Sequence, residues 1–150
     1  MTGTSPLAHP QGLAGIDPRG PRFVAAVTAV VLALTVLTGS VWLLLVQVLV
    51  FALGTVLGIS RTPYSDAFRR LVRPRLAPPA ELEDPRPPRF AQGVGLAVTG
   101  IALLLAWVGV GGAVEVGAGL ALIAALLNAV FGLCLGCELY LLLVRARTAA

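Results

Sequence analysis

Residues 23–60 read FVAAVTAVVLALTVLTGSVWLLLVQVLVFALGTVLGIS, without one charged side chain. A helix needs about 20 apolar residues to cross a hydrocarbon core of roughly 30 Å, so the run is about twice too long for a single span. Thr38-Gly39-Ser40, near its middle, is a turn signal. The stretch is therefore predicted to be a helical hairpin, with one helix over about 23–38 and a second over about 41–59. Two further uncharged runs, Phe90 to Val114 and Val116 to Cys137, repeat the pattern. They predict a third helix over about 90–108, a glycine-rich turn at GVGGA (109–113) and a fourth helix from about Val116. The expected fold is an all-α membrane protein with four transmembrane helices.

Composition points the same way. With 57% hydrophobic residues and a mean hydropathy of +0.91, the 150-residue chain has too little polar surface to wrap a soluble domain. MTGTSPLAHPQ (1–11) carries no Lys or Arg and no convincing cleavage site follows, so the first helix is expected to be a retained span and not a secretory signal. All eleven basic residues are Arg. Arg19 and Arg22 precede the first helix, Arg61, Arg69, Arg70, Arg73, Arg75, Arg86 and Arg89 lie between helices two and three, and Arg145 and Arg147 follow the fourth. With loops this short, the positive-inside rule places both termini and the central loop in the cytoplasm, in a multi-pass protein of the plasma membrane. Trp42 and Trp107 fall beside the outer turns, where interfacial aromatics belong. The net charge of +4 is thus a topology signal. No basic stripe interleaved with aromatics points to nucleic acid.

The chain also reads as duplicated. DPRGPRF (17–23) and DPRPPRF (84–90) agree at six of seven positions, 67 residues apart, each directly before a hairpin. GTVLG (54–58) and GLCLG (132–136) are a second echo, 78 apart. A unit of two spans enters and leaves on one side, so the two hairpins (about 23–59 and 90–138) are expected to be parallel repeats about an axis along the membrane normal. The D-P-R-x-P-R-F element is read as a start device in which prolines set an extended approach, Arg19, Arg22, Arg86 and Arg89 hold the interface or pair with carboxylates, and Phe begins the span. Between the hairpins, in the cytoplasmic loop 60–89, Thr62 as N-cap, Pro63 at N1 and Asp66 in the first turn start a helix. Tyr64, Phe68, Leu71 and Val72 follow at helical spacing. This predicts a short amphipathic helix on the inner leaflet, its arginines facing anionic lipid headgroups. Residues 1–16, with His9, read as a disordered tail, 17–144 as one membrane domain and 145–150 as a C-terminal tail.

These motifs, with TPY (62–64), FRRLVRPRL (68–76), LEDPRPPRF (82–90) and LNAVFGLCLGCELYLLL (127–143), resemble the bacterial integral-membrane family catalogued as domain of unknown function 4395, over roughly residues 15 to 145. The resemblance implies no established activity. Members are often encoded beside thioredoxin-like and rhodanese-type sulfurtransferase proteins, which implies thiol or sulfur chemistry by association, and the family's cysteine motif falls on Cys134, Cys137 and Glu138.

If the fourth helix is continuous, Cys134, Cys137 and Glu138 share one of its faces, and Gly132, Gly136 and Asn128 another. Gly132 and Gly136, like Gly54 and Gly58, then form a small-residue surface for close helix contact near the repeat axis. A pair at the C-terminal, negative end of a helix, beside a carboxylate, holds sluggish thiols. A helix end at Gly136 that frees the pair, or convergence of Arg19, Arg22, Arg86 and Arg89 on it, would reverse that. Cys137, nearer the cytoplasm, is expected to attack and Cys134 to resolve. An unpaired carboxylate costs about 2.5 to 3.5 kcal/mol near a helix centre and less near the interface, so Glu138 is expected to pair with Arg89 or, failing that, Arg22. Three readings stay open: reversible thiol chemistry with a cytoplasmic thioredoxin-like or rhodanese-type partner, small-residue packing in a non-catalytic scaffold, and metal binding, which would need a homo-oligomer to supply four thiolates. A small-solute carrier or channel is a further alternative, although Gln47, Asn128 and a few Thr are the main polar groups of the spans. No constellation for hydrolysis and no phosphate-binding loop is present, and no cofactor is expected.

If the orientation is right, single cysteines placed at Gly39 or Gly112 in a cysteine-free chain will react with an impermeant maleimide in intact cells. Cysteines at Ser65 or Thr148 will react only after permeabilisation, and the opposite pattern would invert the topology.

Overall fold

The computed structural model describes residues 15–150. Most of the expected N-terminal tail, His9 included, lies outside the described residues, but Gly15 and Ile16 already belong to the folded body. Ile16 and Glu83 exchange both backbone hydrogen bonds at 2.9 Å in an isolated antiparallel bridge. Just after each of them an aspartate starts a helix. Asp17 Oδ1 accepts from the Arg19 N–H at 3.0 Å and its carboxylate pairs with the Arg19 guanidinium at 2.8 Å. Asp84 does the same for Arg86, at 2.9 and 2.6 Å. The carboxylates thus serve the first, otherwise orphan, N–H of each helix. Asp17 is buried, and its hydrogen bond from Arg19 holds its carboxyl below the ordinary value of 3.8. A lowered pKa means the ionised form favours the fold at pH above that ordinary value, and the contribution goes only as pH falls through the lowered one.

Among the described residues the fold is all-α. Helix α1 (Arg19–Thr38) ends at Gly39, whose φ of 60° turns the chain, and Ser40 caps α2 (Val41–Val56) by accepting from the Leu43 N–H at 3.3 Å. The hairpin read from Thr38-Gly39-Ser40 is therefore present. Thr62 caps the short α3 (Pro63–Ala67), which continues as a π turn (Phe68–Val72) and a 3₁₀ turn (Arg73–Arg75). The Phe68 ring packs on Phe23 with centroids 5.7 Å apart, and the Tyr64 hydroxyl donates to the buried Gln47 Oε1 at 3.1 Å. Those two contacts fasten the central segment to α1 and α2. Helices α4 (Arg86–Trp107), α5 (Ala113–Phe131) and α6 (Leu135–Thr148) complete the chain.

Among the described residues three helices, α1, α4 and α5, are long and apolar enough to cross a membrane by length and composition. The expected full-length second span is shorter than read. Helix α2 stops at Val56 because Gly58 takes a φ of 95° and a 3₁₀ turn follows at Ile59–Arg61. Its 16 residues rise about 24 Å, less than the roughly 30 Å of a hydrocarbon core.

Packing pairs α1 chiefly with α5 and α2 with α4, with α4 also on α5 and α6. The core between them holds Ala29, Leu32, Leu44, Leu103, Ala118 and Ala121, many of them small. Close helix approach is also carried at two glycines outside the sequence reading. A Cβ on Gly117 would strike Ala102, and one on Gly95 would come within 2.8 Å of the Phe51 ring. Such small-residue contacts suit a lipid environment, where dispersion and not water exclusion drives helices together.

The largest departure from the sequence reading lies at the fourth helix. The uncharged run predicts continuity from Val116 through the cysteines, but α5 ends at Phe131. Gly132 adopts φ 69°, its N–H and that of Leu133 fold back onto the carbonyls of Asn128 and Leu127, and a new helix starts at Leu135. The cysteines therefore sit at the start of α6, and 145–148 of the expected 145–150 tail belong to that helix. Replacing Gly132 by Ala separates the two architectures by sign. In a continuous helix Ala gains about 1 kcal/mol over Gly, whereas in the left-handed conformation a Cβ costs roughly 1–2 kcal/mol. We expect G132A to lower stability in reversible unfolding from mixed micelles.

Candidate functional site

The break at Gly132 decides the chemistry of the cysteine pair. Cys134 is the N-cap of α6, with extended backbone, and its Sγ accepts from the Cys137 N–H at 3.3 Å. Cys134 and Cys137 are joined as a disulfide. A sulfur at this position faces the orphan N–H groups and the positive end of the helix, which favour a thiolate. The sluggish thiols expected from the sequence belong to the negative end of a continuous helix, and the structure places the pair at the opposite kind of terminus. Both cysteines are partly buried, and the expected contrast of a buried resolver with an exposed attacker does not appear.

The glycines are dispersed rather than paired on common faces. Gly136 lies in the first turn of α6 against α4, where an added Cβ would come within 2.5 Å of the Ala91 side chain and 2.6 Å of its Cα. Only a residue without a side chain lets the disulfide turn sit this close to α4. Gly54 faces Gln92, with Oε1 at 2.7 Å from a notional Cβ, while Gly58 meets nothing within 4 Å. Gly132 lies outside any helix, near the Arg22 guanidinium. One glycine of each expected pair, Gly54 and Gly136, meets α4 closely, while the other, Gly58 and Gly132, ends a helix.

The arginines have different partners from those expected. Arg89 donates from Nε to Thr55 O at 2.7 Å and from Nη2 to Val56 O at 2.8 Å, the last carbonyls of α2. Arg22 Nη2 donates to Ala129 O and Val130 O, near the end of α5, at 3.3 and 3.4 Å. Arg19 and Arg86 hold their lead-in aspartates, and Arg19 also reaches Ala77 O at 2.9 Å. Glu138 is exposed and makes no ion pair among the described residues. The expected Arg89 or Arg22 pairing fails because both guanidiniums face helix ends. Glu138 instead occupies the first turn of α6, where the helix dipole favours a carboxylate.

A cavity of about 770 Å³ opens beside the disulfide and runs between α1, α4 and α5, with Cys134, Cys137, Arg22, Phe51, Gln92 and Asn128 among its lining. That volume falls within the range of about 300–1,000 Å³ seen for small-molecule sites. Gln92 was missed in the sequence. Its place just inside the apolar run that begins at Phe90 was the available signal, since a polar amide inside a span needs a partner or a purpose. It is 8% exposed, and its Oε1, packed against Gly54, has no hydrogen-bond partner among the described residues. No group of three or more His, Cys, Asp or Glu suited to a metal occurs among the described residues.

The fold and site define a small all-α membrane protein with a CxxC disulfide at a helix N-terminus, bordering an open cavity between helices. The chain belongs to the family described as domain of unknown function (DUF4395), whose model matches residues 16–145. No curated protein and no solved structure matches it.

Arg89, with the shorter bonds, should matter more than Arg22. Hydrogen bonds to charged groups are worth about 1.5–3 kcal/mol, and distances beyond about 3.2 Å weaken them. We expect R89A to lower stability by roughly 2 kcal/mol and R22A by about half of that or less, measured by reversible unfolding in mixed micelles. R89K should fall between, since an ammonium lacks the planar fork that serves both carbonyls.

Proposed function

We propose that this protein is a membrane-embedded thiol–disulfide exchange protein, acting on a soluble cytoplasmic partner of the thioredoxin-like or sulfurtransferase kind. One observation carries the reading: Cys134 caps α6, and its sulfur receives the Cys137 N–H. A partner thiolate attacks Sγ of Cys134 and displaces the Cys137 thiolate. The partner's second thiolate then attacks the mixed disulfide and expels Cys134. The leaving thiolate is stabilised by the helix N-terminus, and good leaving groups speed exchange. The partner departs oxidised and the membrane protein is left as a dithiol. Exchange in the reverse direction passes through the same mixed disulfide.

The architecture that fits this role has four membrane segments in two parallel hairpins, with both termini and the site at the cytoplasmic face of the plasma membrane. Several contacts support the repeat. The Ile16–Glu83 bridge joins positions 67 apart, the spacing of the DPR elements, as an antiparallel pair across a two-fold axis would. Arg89 serves the end of α2 and Arg22 the end of α5, so each hairpin's first helix covers the other's second. In that register Thr55–Val56 answers to Ala129–Val130, 74 apart, and Gly58 answers to Gly132, both with positive φ. The register of 78 read from GTVLG and GLCLG pairs a helical glycine, Gly54, with a helix-ending one. At 74, Cys134 stands where Ser60 stands in the first half.

The test is trapping. With Cys134 as the exchanging sulfur and Cys137 as the resolving one, C137S should accumulate a reducible adduct with a small cytoplasmic protein under mild oxidant, and C134S should not. This reverses the roles read from the sequence. An adduct in C134S alone would restore them, and no adduct in either mutant, with both thiols inert to alkylation, would remove the redox reading.

A further inference from the structure

The two helix lead-ins are alike in sequence but differently covered. At the first, Arg19 holds Asp17 and also donates to Ala77 O at 2.9 Å, and the Phe23 ring lies against the buried Phe68. The ring contact recurs at the second, where Phe90 meets Tyr140 of α6 with centroids 5.6 Å apart. The carbonyl does not recur: among the described residues the side-chain hydrogen bonds of Arg86 all go to Asp84. An open groove of about 560 Å³ adjoins Arg86 instead. Its lining joins Arg86 and Arg89, in the first turn of α4, to Gly93 and Ala97 further along the same helix, with Thr55 of α2 and Tyr140 of α6 beside them. No carboxylate is among these lining residues.

We propose that this groove binds one anionic phospholipid, its phosphate on Arg86 and Arg89 and an acyl chain along Gly93 and Ala97. Charge selects the headgroup. Asp84 offsets the charge of Arg86, but the α2 carbonyls leave that of Arg89 whole. Arg89 commits Nε and Nη2 to Thr55 O and Val56 O, and Arg86 commits Nε and Nη2 to Asp84. Each guanidinium therefore retains N–H donors for a phosphate oxygen, and such charge-assisted bonds are the strong kind. The same end of the groove is the N-terminus of the 22-residue α4, whose dipole favours an anion. A zwitterionic headgroup brings a cation of its own to a lining that holds two guanidiniums and no carboxylate, and is selected against. Length selects a lipid over a free phosphate. From Arg86 to Ala97 the helix rises roughly 16 Å, about half of a hydrocarbon core of roughly 30 Å, which is the depth that a lipid of one leaflet fills. Space is left for the chain because a Cβ built on Gly93 meets only the Thr55 side chain, at 3.5 Å.

The experiment uses the full chain in dodecyl maltoside micelles with equal amounts of phosphatidylglycerol and phosphatidylcholine of the same acyl chains, and native mass spectrometry reads the lipid retained. Wild type should hold one phosphatidylglycerol and prefer it about tenfold, as expected for one charge-assisted hydrogen bond. R86Q, which removes the charge and keeps amide donors, should reduce that preference to about twofold or less. G93L and, separately, A97L at its exposed position should fill the groove and lower the retention of phosphatidylglycerol about tenfold. Phosphatidylglycerol should raise the unfolding midpoint of wild type and leave those of G93L and A97L nearly unchanged. Glycerol 1-phosphate in excess should not displace the lipid. Displacement by it would make the ligand a free phosphate and overturn the lipid. Equal retention of the two lipids by wild type, or a preference that survives R86Q, would overturn the phosphate site. Retention that is unchanged in both G93L and A97L would overturn the groove and move the lipid to arginines outside its lining, such as Arg70, Arg73 and Arg75.

Discussion

A helix that ends near hydrocarbon leaves its last carbonyls without water, and leaving them unpaired costs several kcal/mol each. This chain meets that constraint with guanidiniums sent from other helices. Arg89 on α4 serves the end of α2, and Arg22 on α1 approaches the end of α5. The pairing of α1 with α5 and of α2 with α4 follows from the same reach, because an Arg at the first turn of one helix can only touch the last turn of an antiparallel neighbour. The aspartates of the two lead-ins satisfy the opposite termini, donating nothing but accepting the first helical N–H.

Ending α5 early has a chemical consequence. The turn at Gly132 converts what would be the interior of one apolar helix into the C-terminus of α5 and the N-terminus of α6 within three residues. Cys134 thereby changes from a buried side chain on a helix wall to the capping atom of a helix start. The same turn gives Glu138 a place in the first turn of α6, where its charge is favourable and needs no arginine. Gly136 then brings this start against Ala91, fixing the disulfide at the mouth of the cavity.

The two hairpins resemble one another most where they enter and least where they leave. DPRGPRF and DPRPPRF start their helices by the same device, an aspartate holding the following arginine. After the second helix of each hairpin a glycine with positive φ stops the chain, but the two exits then diverge. Gly58 leads to Thr62, whose hydroxyl caps the short α3, and Gly132 leads to Cys134, whose sulfur caps α6. Replacing a hydroxyl cap by a thiol cap turns a structural terminus into one capable of redox chemistry.

Hydropathy and glycine chemistry alone made the all-α membrane character, the first hairpin and its turn at Gly39 legible, because length, charge exclusion and a required left-handed residue are local properties of the chain. The cap at Thr62 was legible for the same reason. The ends of α2 and α5 were not: GTVLG and GLCLG look alike in sequence, yet Gly54 stays helical and Gly132 does not, and the carbonyls left at each end are met by an arginine 33 or 107 residues away. The helix-opening position of the cysteines, the solitary state of Glu138 and the meeting of Gln92 with Asn128 in one cavity were likewise decided by tertiary packing. Each depends on the mutual placement of α1, α4, α5 and α6, which no local window of the sequence contains.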